Sequence, residues 1–402
     1  MKKRLFRFLI GLTPMLGLLS ACSTCRTLPA WKDGYLDIHF ISTGRGECAY
    51  YVFPDGTTLV IDAGEVETPN PKHPHVHPRP DSLTRTTDAY ARYIRRFMPR
   101  VCRDSLDYML LTHFHIDHMG ALEQRFTRDP EGGYILSGIT ALNDKLPFRC
   151  VIDRSWPDYD PASDPLFGKR TVKNWARFMK YGVAHQRFKA QKFMLGSSSQ
   201  IALRHAPDKY PDFKVLNMAV DGRYWDGEKC VDPYDRAAVG PRENANSCAI
   251  LLSYGDFDWY AGGDLHDLTV ELPLARSIGR KVEAMKAGHH MAWNTMDTLT
   301  LAVLQPRVIV CPAFTDHKPW VKVLRENIFS DAGYAGPRSL YITSTHPRIL
   351  KEMPELAEKA ASLNGHVVIR VLPGGKEYYV YVLDDCDPRY RVLHRDGPFP
   401  CE

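Results

Sequence analysis

The chain has 402 residues, of which 44% are hydrophobic and 25% are charged. This composition is typical of a globular protein, so it excludes a disordered chain and a collagen-like repeat. The length allows two or three domains, and the formal net charge of +5 raises the question of an anionic partner such as a nucleic acid.

The start of the chain has the pattern of an export signal. A basic segment precedes the apolar run 8–19, and its four cations are Lys2, Lys3, Arg4 and Arg7. A short apolar run between a basic start and small residues is typical of a secretory signal and not of a membrane span. The four residues that end at Cys22 also resemble the bacterial lipobox, whose cysteine is acylated and becomes the mature N-terminus.

We therefore expect residues 1–21 to be a lipoprotein signal peptide, Cys22 to be lipidated, and residues 22–34 to be a tether. The membrane would then be a partner through the lipid, and the protein would lie in the cell envelope, in the periplasm or on the cell surface. An ordinary signal peptide cut nearby and a retained anchor helix are the alternatives.

The position of these cations changes the meaning of the net charge. Removal of residues 1–21 takes four positive charges from +5 and leaves about +1, with histidine neutral. A near-neutral domain lacks the overall positive electrostatic potential with which nucleic-acid-binding proteins usually attract phosphates. A small-molecule substrate is therefore as compatible with the charge as a nucleic acid, and a local basic groove at 92–100 stays open as an alternative.

Strand and helix patterns alternate along the rest of the chain. Strands are predicted at 36–41, 49–53, 58–61, 106–111, 249–253, 258–261 and 307–311, helices at 82–97, 172–181 and 298–304, and a hairpin at 365–371 with 377–383. This order predicts one α/β domain over residues 35–385. A long insertion is expected at about 147–240, and a C-terminal tail at 386–402.

A dense group of polar residues follows the predicted strand 106–111. Residues i and i+2 of an extended segment point the same way, so His113 and His115 can reach one cation. Asp117 and His118, at the turn into the next helix, can reach a second cation. Imidazole and carboxylate donors suit Zn²⁺, Mn²⁺ or Fe²⁺, and the donors alone do not choose between these metals or between one ion and two.

This group resembles the His-x-His-x-Asp-His signature of the metallo-β-lactamase superfamily. Three further segments resemble other motifs of that superfamily in the same chain order: 60–64, 261–264 and 286–290. The resemblance covers about residues 36–319. It implies a four-layer αββα sandwich and a metal-dependent hydrolase that uses one or two divalent ions, Zn²⁺ before Mn²⁺.

The resemblance also implies roles for single residues. Asp264 would bridge two metals, His289 would be the last metal histidine, and Asp62 would orient a ligand histidine without touching metal. Most of the superfamily supplies a third histidine to the first metal, and in this chain 244–247 holds that position without one. We therefore expect one complete site, and a weaker site at His113 and His115 that shares Asp264. The complete site would contain Asp117, His118, Asp264 and His289.

Finer details are similar to the hydrolase domain of the ComEC/Rec2 competence proteins, which is associated with cleavage of DNA phosphodiesters. These details are residues 39–46, the pair Asn246 and Ser247 before a strand, and residues 288–290. The segment 291–294 departs from that subfamily, which usually has Gly-Ser after the histidines. The departure concerns the substrate end of the pocket.

Other polar residues are candidates for substrate contacts. His290 or His317 could give a proton to the leaving group or bind phosphate, and Asn246 and Ser247 could donate hydrogen bonds to an oxyanion. A second group lies between prolines and consists of His73, His75 and His77. Alternation makes an accessory metal site possible there, and a proline-rich surface loop is the plainer interpretation.

The sequence thus predicts an exported hydrolase of phosphodiester bonds, in nucleic acid or in a small nucleotide-like ester. A metal ion lowers the pKa of bound water and so provides hydroxide. In this mechanism Asp117 helps to hold the metal and Asp62 orients a ligand histidine, so both aspartates are expected to be catalytic. One alternative is a hydrolase of a lactone, a β-lactam or another carbon-centred ester or amide. Another is a surface lipoprotein that keeps the fold as a binding module without catalysis. The sequence identifies no protein partner.

Overall fold

The computed structural model describes residues 27–234, 243–266 and 268–402. The expected signal peptide and the lipidation site Cys22 lie outside the described residues. Among those described, no helix combines the length and the apolar character that crossing a membrane would require.

Seventeen strands and nine α-helices make up this part of the chain. The strands are β1 Leu36–Phe40, β2 Ala49–Val52, β3 Thr58–Ile61, β4 Leu106–Leu110, β5 Phe148–Asp153, β6 Lys189–Lys192, β7 Phe213–Val220, β8 Arg223–Trp225, β9 Cys230–Val231, β10 Ala249–Tyr254, β11 Phe257–Ala261, β12 Ala284–Lys286, β13 Val308–Cys311, β14 Ser339–Ile342, β15 His366–Val371, β16 Glu377–Leu383 and β17 Val392–Pro400. The helices are α1 Thr86–Phe97, α2 Ile116–Met119, α3 Ile139–Lys145, α4 Arg170–Ala184, α5 Leu268–Ile278, α6 Thr298–Leu304, α7 Val321–Val323, α8 Pro347–Glu352 and α9 Leu356–Lys359.

The strands form two mixed sheets. The first has the order β17-β16-β15-β1-β2-β3-β4-β5-β6, and the second has the order β14-β13-β12-β11-β10-β7-β8-β9. Pairing is parallel from β3 to β6 in the first sheet and from β11 to β14 in the second. All other pairs are antiparallel, so each sheet changes from antiparallel to parallel next to the strands that precede the segments 60–64, 113–118, 261–264 and 286–290.

Three apolar clusters show how the layers pack. One lies between the two sheets and includes Phe40 and Trp259, whose ring centroids are 5.7 Å apart. The second joins the outer face of the first sheet to α1, α3 and α4, and the third joins the second sheet to α5 and α6. Helices thus cover both outer faces, and the four-layer αββα sandwich expected from the sequence is confirmed.

Successive side chains of strand β1 point to opposite faces of the first sheet. Its apolar residues face the second sheet, whereas Asp37 and His39 face the helices. Asp37 forms a buried bidentate ion pair with Arg370, the residue opposite it on β15, at 2.6 and 2.8 Å. His39 Nδ1 lies 3.0 Å from the hydroxyl of Tyr93 on α1. Every polar side chain of the strand therefore has a partner on the outer side of the sheet.

Three of the expected segments make contacts or pairings that the sequence did not predict. The described part of the tether lies against the domain, because Leu28 is buried and the Pro29 carbonyl accepts a hydrogen bond from Arg370 at 2.8 Å. The segment 386–402 contains β17, which pairs with β16 along its length. The expected insertion 147–240 contributes β5 and β6 to the first sheet and β7 to β9 to the second. These pairings were missed because strand partners far apart in sequence leave no local signal.

Because His366 is buried, the folded protein is expected to lose stability in acid. The Nδ1 atom of His366 accepts a hydrogen bond from the backbone N–H of Ser42 at 3.0 Å, and burial lowers the pKa of this histidine to about 3. The unfolded chain takes up a proton below about pH 6.5 that the folded chain refuses, so the free energy of unfolding falls as the pH drops. From pH 7 to pH 5 this group alone accounts for about 2 kcal/mol.

Urea unfolding at both pH values checks this expectation. His366→Gln keeps an acceptor for Ser42 and removes the titration, so its fall in stability between pH 7 and pH 5 is expected to be smaller by about 2 kcal/mol. An equal fall in the wild type and the variant would contradict the role given to His366.

Candidate metal centre

The candidate site lies where loops from both sheets meet. In the first sheet, β3 ends just before Asp62, and β4 leads into the loop 113–118. In the second sheet, β11 leads to Asp264, and β12 leads to the tight turn Gly288–Met291. All four strands belong to the parallel parts of their sheets, and ligand sites of α/β sheets lie at the carboxyl ends of such strands.

Four side chains converge at the centre of this site. Asp264 Oδ2 lies 3.2 Å from His118 Nε2 and 3.4 Å from His290 Nε2. His290 Nε2 lies 3.2 Å from His118 Nε2 and 3.5 Å from Asp117 Oδ2. His118, His290 and Asp264 are fully buried, whereas the side chain of Asp117 is 22% exposed. Nitrogen and carboxylate lone pairs that face one point in this way match the donor set of a divalent cation.

Asp62 fixes the orientation of His118. The Nδ1–H of His118 donates to Asp62 Oδ2 at 2.8 Å, so the Nε2 lone pair is left to face Asp264. Thr112 holds Asp62 in turn, because its N–H donates to Oδ1 at 2.8 Å and its hydroxyl donates to Oδ2 at 2.7 Å. These contacts are the ones that the orienting role expected for Asp62 requires.

The same threonine determines which nitrogen of His113 carries a proton. Its hydroxyl has one proton and gives it to Asp62, so its oxygen accepts from His113 Nδ1, 3.0 Å away. His113 therefore presents an unprotonated Nε2, which lies 3.1 Å from His115 Nδ1 and 3.8 Å from Asp264 Oδ2. One threonine thus couples the orientations of two candidate metal ligands.

Replacement of Thr112 by valine tests this coupling. The variant keeps the shape but loses the acceptor for His113, so metal affinity is expected to fall by about 10- to 100-fold, the usual effect of losing an outer partner of a ligand histidine. Chelator competition with Zn²⁺ measures the affinity. Thr300→Val is the matched control, because Thr300 is buried and its hydroxyl has no hydrogen-bond partner among the described residues. Equal affinities of the two variants would contradict the coupling.

His289 and His290 reach the site through a strained turn. His289, His290 and Met291 have φ angles of 43°, 52° and 60°, in the left-handed region that costs a non-glycine residue about 1 kcal/mol or more. The turn is held by a 2.8 Å hydrogen bond from the N–H of Trp320 to the Met291 carbonyl. Because of this backbone, two successive imidazoles both face Asp264 Oδ2, at 3.8 Å for His289 and 3.4 Å for His290.

The positions of the two histidines bear on the roles that the sequence suggests for them. The sequence places His289 in the complete site, and it makes His290 or His317 a candidate to give a proton to the leaving group or to bind phosphate. In the structure it is His290 that lies beside His118. Its Nδ1–H donates to the Pro312 carbonyl at 2.8 Å, so Nε2 is a lone-pair donor within the group. This position of His290 follows from the three left-handed residues, which no sequence pattern indicated.

A second set of donors lies around the same oxygen of Asp264. His113 Nε2 and His289 Nε2 are each 3.8 Å from it, and His115 adjoins His113. Burial lowers the pKa of His289 to about 3, with Asp264 opposing, so the imidazole is neutral and available as a donor. Asn244, at the chain position where the superfamily has its third histidine, lies 3.2 Å from His289 Nε2. His289 therefore lies beside the segment 244–247.

Two buried charges of the site were given no role by sequence reasoning. Lys286 Nζ lies 3.2 Å from Glu47 Oε2 and 3.5 Å from Asp264 Oδ1, and it donates to the Gly263 carbonyl at 2.7 Å. Glu47 Oε2 is also 3.3 Å from His290 Nδ1. Burial raises the pKa of Glu47, and the ammonium of Lys286 opposes this shift. Lys286 begins the segment 286–290 and Glu47 directly follows the segment 39–46, but their polar atoms meet only in the folded chain.

The charges of the group favour a bound cation. Four carboxylates and one ammonium belong to it: Glu47, Asp62, Asp117, Asp264 and Lys286. Burial lowers the pKa of His118, yet Asp264, Asp62 and Asp117 together raise it well above its ordinary value. The pKa of His290 is also raised, because Asp264 and Asp117 outweigh the effect of burial. A bound divalent cation compensates the same carboxylate charges and displaces the protons of His118 and His290. The residues therefore fit a divalent metal.

The candidate substrate-contact residues have the following partners in the structure. Ser247 is fully buried, and its Oγ accepts a hydrogen bond from the backbone N–H of Asp264 at 3.1 Å, so it positions that aspartate. Asn246 Nδ2 donates to Glu243 Oε2 at 3.3 Å. His317 pairs with Asp316 at 3.0 Å, outside the central group.

Comparison with known proteins gives distant structural matches. No protein-family model matches the sequence, and no curated protein matches it. The chain is similar to Zn²⁺-bound PqqB from Methylobacterium extorquens, with 12% identity over 81% of this chain and 87% of that one and a TM-score of 0.34. It is also similar to a diphosphatase of the PhnP family, with 9% identity over 84% and 97% and a TM-score of 0.34. A third match is AbOPH, a hydrolase in the β-lactamase superfamily, with 14% identity over 56% and 59% and a TM-score of 0.29.

The architecture and the motif positions together define the fold. Two mixed sheets lie between helical layers, and the four motifs of the resemblance follow β3, β4, β11 and β12. The chain has the metallo-β-lactamase fold.

Proposed function

We propose that this chain is a metal-dependent hydrolase whose active site is the group around Asp264. The observation that carries the proposal is the convergence of three buried atoms, His118 Nε2, His290 Nε2 and Asp264 Oδ2, within 3.4 Å of one another. A divalent ion held there supplies Lewis acidity, which polarises the scissile bond and lowers the pKa of water.

The donors divide into two sets that share Asp264. The inner set is Asp117, His118, His290 and Asp264, and the outer set is His113, His115, His289 and Asp264. Zn²⁺ suits these imidazole-rich sets, and Mn²⁺ is the alternative to test. Asp117 is the inner carboxylate that reaches solvent, so it is placed to accept a hydrogen bond from the attacking water and to orient it.

A half-buried cation at the site supports an anionic substrate. Lys318 forms no ion pair with any described residue. Against the effect of burial, the pKa of Asp117 is lowered by His118 and His290 and, to a smaller extent, by the charge of Lys318. The pKa of His289 is lowered mainly by burial, and the charge of Lys318 adds to this shift. The N–H of the neighbouring Trp320 donates a hydrogen bond to the Met291 carbonyl, and this bond holds the segment of Lys318 beside the turn Gly288–Met291. An unpaired ammonium beside a dication centre favours a phosphodiester over an uncharged lactone or amide.

The proposed substrate class is therefore a phosphodiester, in nucleic acid or in a small nucleotide-like ester. The test compares hydrolysis of bis(p-nitrophenyl) phosphate, a lactone and nitrocefin by the metal-loaded protein, with Zn²⁺ and Mn²⁺ supplied separately. Phosphodiester turnover that Asp117→Asn removes is the expected result. Faster turnover of the lactone or of nitrocefin would establish the carbon-centred alternative, and no turnover by a metal-loaded protein would favour the binding module.

Lys318 provides a second arm of the same test. Lys318→Ala is expected to raise KM for the phosphodiester by about 10-fold, a loss equal to about 1.4 kcal/mol of binding, with a smaller effect on any neutral ester. Lys322→Ala is the matched control, since this lysine is 70% exposed and, in the part of the chain that the structure describes, forms an ion pair only with Glu326 on its own segment. Equal KM values for the two variants would contradict the role of Lys318.

We also propose that the protein is exported and held to a membrane by a lipid on Cys22. The support is the basic start, the short apolar run and the lipobox-like end of residues 1–22. Fractionation of cells that express the full chain or Cys22→Ser checks this. The wild type is expected in the membrane fraction with a fatty-acid label, and an unchanged distribution of the variant would contradict the lipid anchor.

A further inference from the structure

A second cluster of possible metal ligands lies outside the central group. His73 Nδ1 is 3.9 Å from Asp316 Oδ1, and His317 Nδ1 is 3.0 Å from the same oxygen. The two imidazole rings face each other with their centroids 4.4 Å apart. One ligand atom from each of the three residues lies within 4.8 Å of the other two. None of these three side chains belongs to either donor set around Asp264.

The backbone brings these residues together from distant parts of the chain. The loop that holds His73 runs antiparallel to the segment after β13, with the N–H of Val76 donating to the Phe314 carbonyl at 2.9 Å. The N–H of Asp316 donates to the Pro74 carbonyl at 3.0 Å. Backbone hydrogen bonds between the two segments therefore bring the two histidines close together without the help of an ion.

Arg348 leaves one oxygen of Asp316 available. Its Nη1 donates to Asp316 Oδ2 at 2.8 Å, so the carboxylate is held in place and Oδ1 faces the two histidines. A carboxylate that binds metal with one oxygen and accepts a hydrogen bond with the other is a common arrangement. Asp316 is almost completely buried, whereas the side chain of His73 is 55% exposed. The cluster is thus rigid on its inner side and open to solvent on its outer side.

We propose that His73, Asp316 and His317 bind a Zn²⁺ ion that clasps the loop 73–77 to the segment 312–317. Two imidazoles and one carboxylate leave a fourth tetrahedral position for water on the exposed side. Zn–ligand distances of about 2 Å place the ligand atoms of a tetrahedral site roughly 3.3 Å apart. The two imidazole nitrogens lie 3.0 and 3.9 Å from Asp316 Oδ1, and all three ligand atoms lie within 4.8 Å of one another, so side-chain movements of about 1.5 Å or less bring them to this spacing.

The clasp would act on the wall of the active site. The segment 312–317 contains Phe314, whose ring lies 5.0 Å from that of His290, and Pro312, whose carbonyl accepts the Nδ1–H of His290. Lys318 follows directly. An ion that joins the two loops therefore limits the movement of the residues that hold His290 and Lys318.

Metal counting tests the site. Zn²⁺ per chain is measured by elemental analysis after equilibration with micromolar Zn²⁺ and removal of free ion, for the wild type, His73→Ala and His77→Ala. His77 is the matched control, because it lies in the same loop and its Nδ1 contacts only the Pro78 carbonyl among the described residues. His73→Ala is expected to bind one Zn²⁺ fewer than either of the other proteins. Equal counts in all three would overturn the proposal.

Proteolysis provides a readout that does not depend on the count. Lys72 is exposed and immediately precedes His73, so trypsin can cleave between them. Added Zn²⁺ is expected to slow this cleavage at least several-fold in the wild type and in His77→Ala, and to have no such effect in His73→Ala. Equal protection of His73→Ala would show that protection arises from the central ions, and would refute the clasp.

Discussion

Asp264→Asn is expected to abolish phosphodiester hydrolysis and to release metal from both donor sets. The substitution keeps the size of the side chain and removes one negative charge from the point that four candidate imidazole ligands face. Asp264 Oδ2 lies 3.2 to 3.8 Å from four imidazole nitrogens, those of His118, His290, His113 and His289. Loss of an outer partner alone costs about 10- to 100-fold in affinity or activity. Loss of the shared ligand is therefore expected to cost more than about 100-fold in both.

The measurements are kcat/KM and metal content for the same preparation. Asp256→Asn is the matched control, because this aspartate is exposed at the turn between β10 and β11, on the same hairpin that leads to Asp264. The control is expected to keep its metal and its activity. A metal-free Asp264→Asn protein that still hydrolyses the phosphodiester would contradict the proposed active site, and so would a variant that binds two ions as tightly as the wild type.

The pH dependence of metal binding follows from the same charges. In the metal-free protein, burial opposes protonation of His118, but the carboxylates around it raise its pKa well above the ordinary value. Metal must displace this proton and that of His290, so the apparent affinity is expected to rise with pH through the neutral range. Asp264→Asn removes the largest of the raising interactions for both histidines. Its residual metal affinity is expected to vary less with pH.

How far the sequence predicts this site depends on how local each feature is. The ligands after β4 were predictable, because their spacing and the strand before them lie within one short segment. The position of His290 beside His118 was not predictable, since it depends on three left-handed residues and on hydrogen bonds with the N–H of Trp320 and the carbonyl of Pro312.

Long-range contacts explain the other differences. Glu47 and Lys286 come from different sheets, and their 3.2 Å contact exists only when the sheets pack. The three histidines between prolines were considered together in the sequence, but in the fold His73 joins Asp316 and His317 instead. The edge strand β17 was missed for a similar reason, because its partner β16 determines its pairing.

Gly64→Ala is expected to disrupt the ligand loop and to destabilise the whole fold. A Cβ atom on Gly64 would lie 1.8 Å from the carbonyl oxygen of Asp117 and 2.3 Å from its carbonyl carbon, far inside van der Waals contact. The carbonyl cannot move aside freely, because it accepts the N–H of Glu47 at 2.9 Å, and the next carbonyl, that of His118, accepts the N–H of Ala63 at 2.9 Å. The added methyl group therefore has to separate β3 from the loop that holds two inner ligands.

Overpacking of a rigid core usually costs about 1 to 3 kcal/mol, and a backbone clash of this depth is expected to reach at least the upper end of that range. Urea unfolding in the presence of chelator measures the loss of stability, and metal titration measures the displacement of Asp117 and His118. Gly168→Ala is the matched control, because the nearest atom to its added Cβ is Pro161 Cβ at 4.0 Å and its φ lies outside the left-handed region.

The two glycine variants differ only in what the new methyl group meets. Gly168→Ala is expected to keep the stability and the metal affinity of the wild type. If Gly64→Ala fails to fold while Gly168→Ala folds normally, the contact between β3 and the ligand loop is essential to the fold. If Gly64→Ala matches Gly168→Ala in both measurements, the loop does not approach β3 as closely as the structure places it, and the geometry proposed for Asp117 and His118 is wrong.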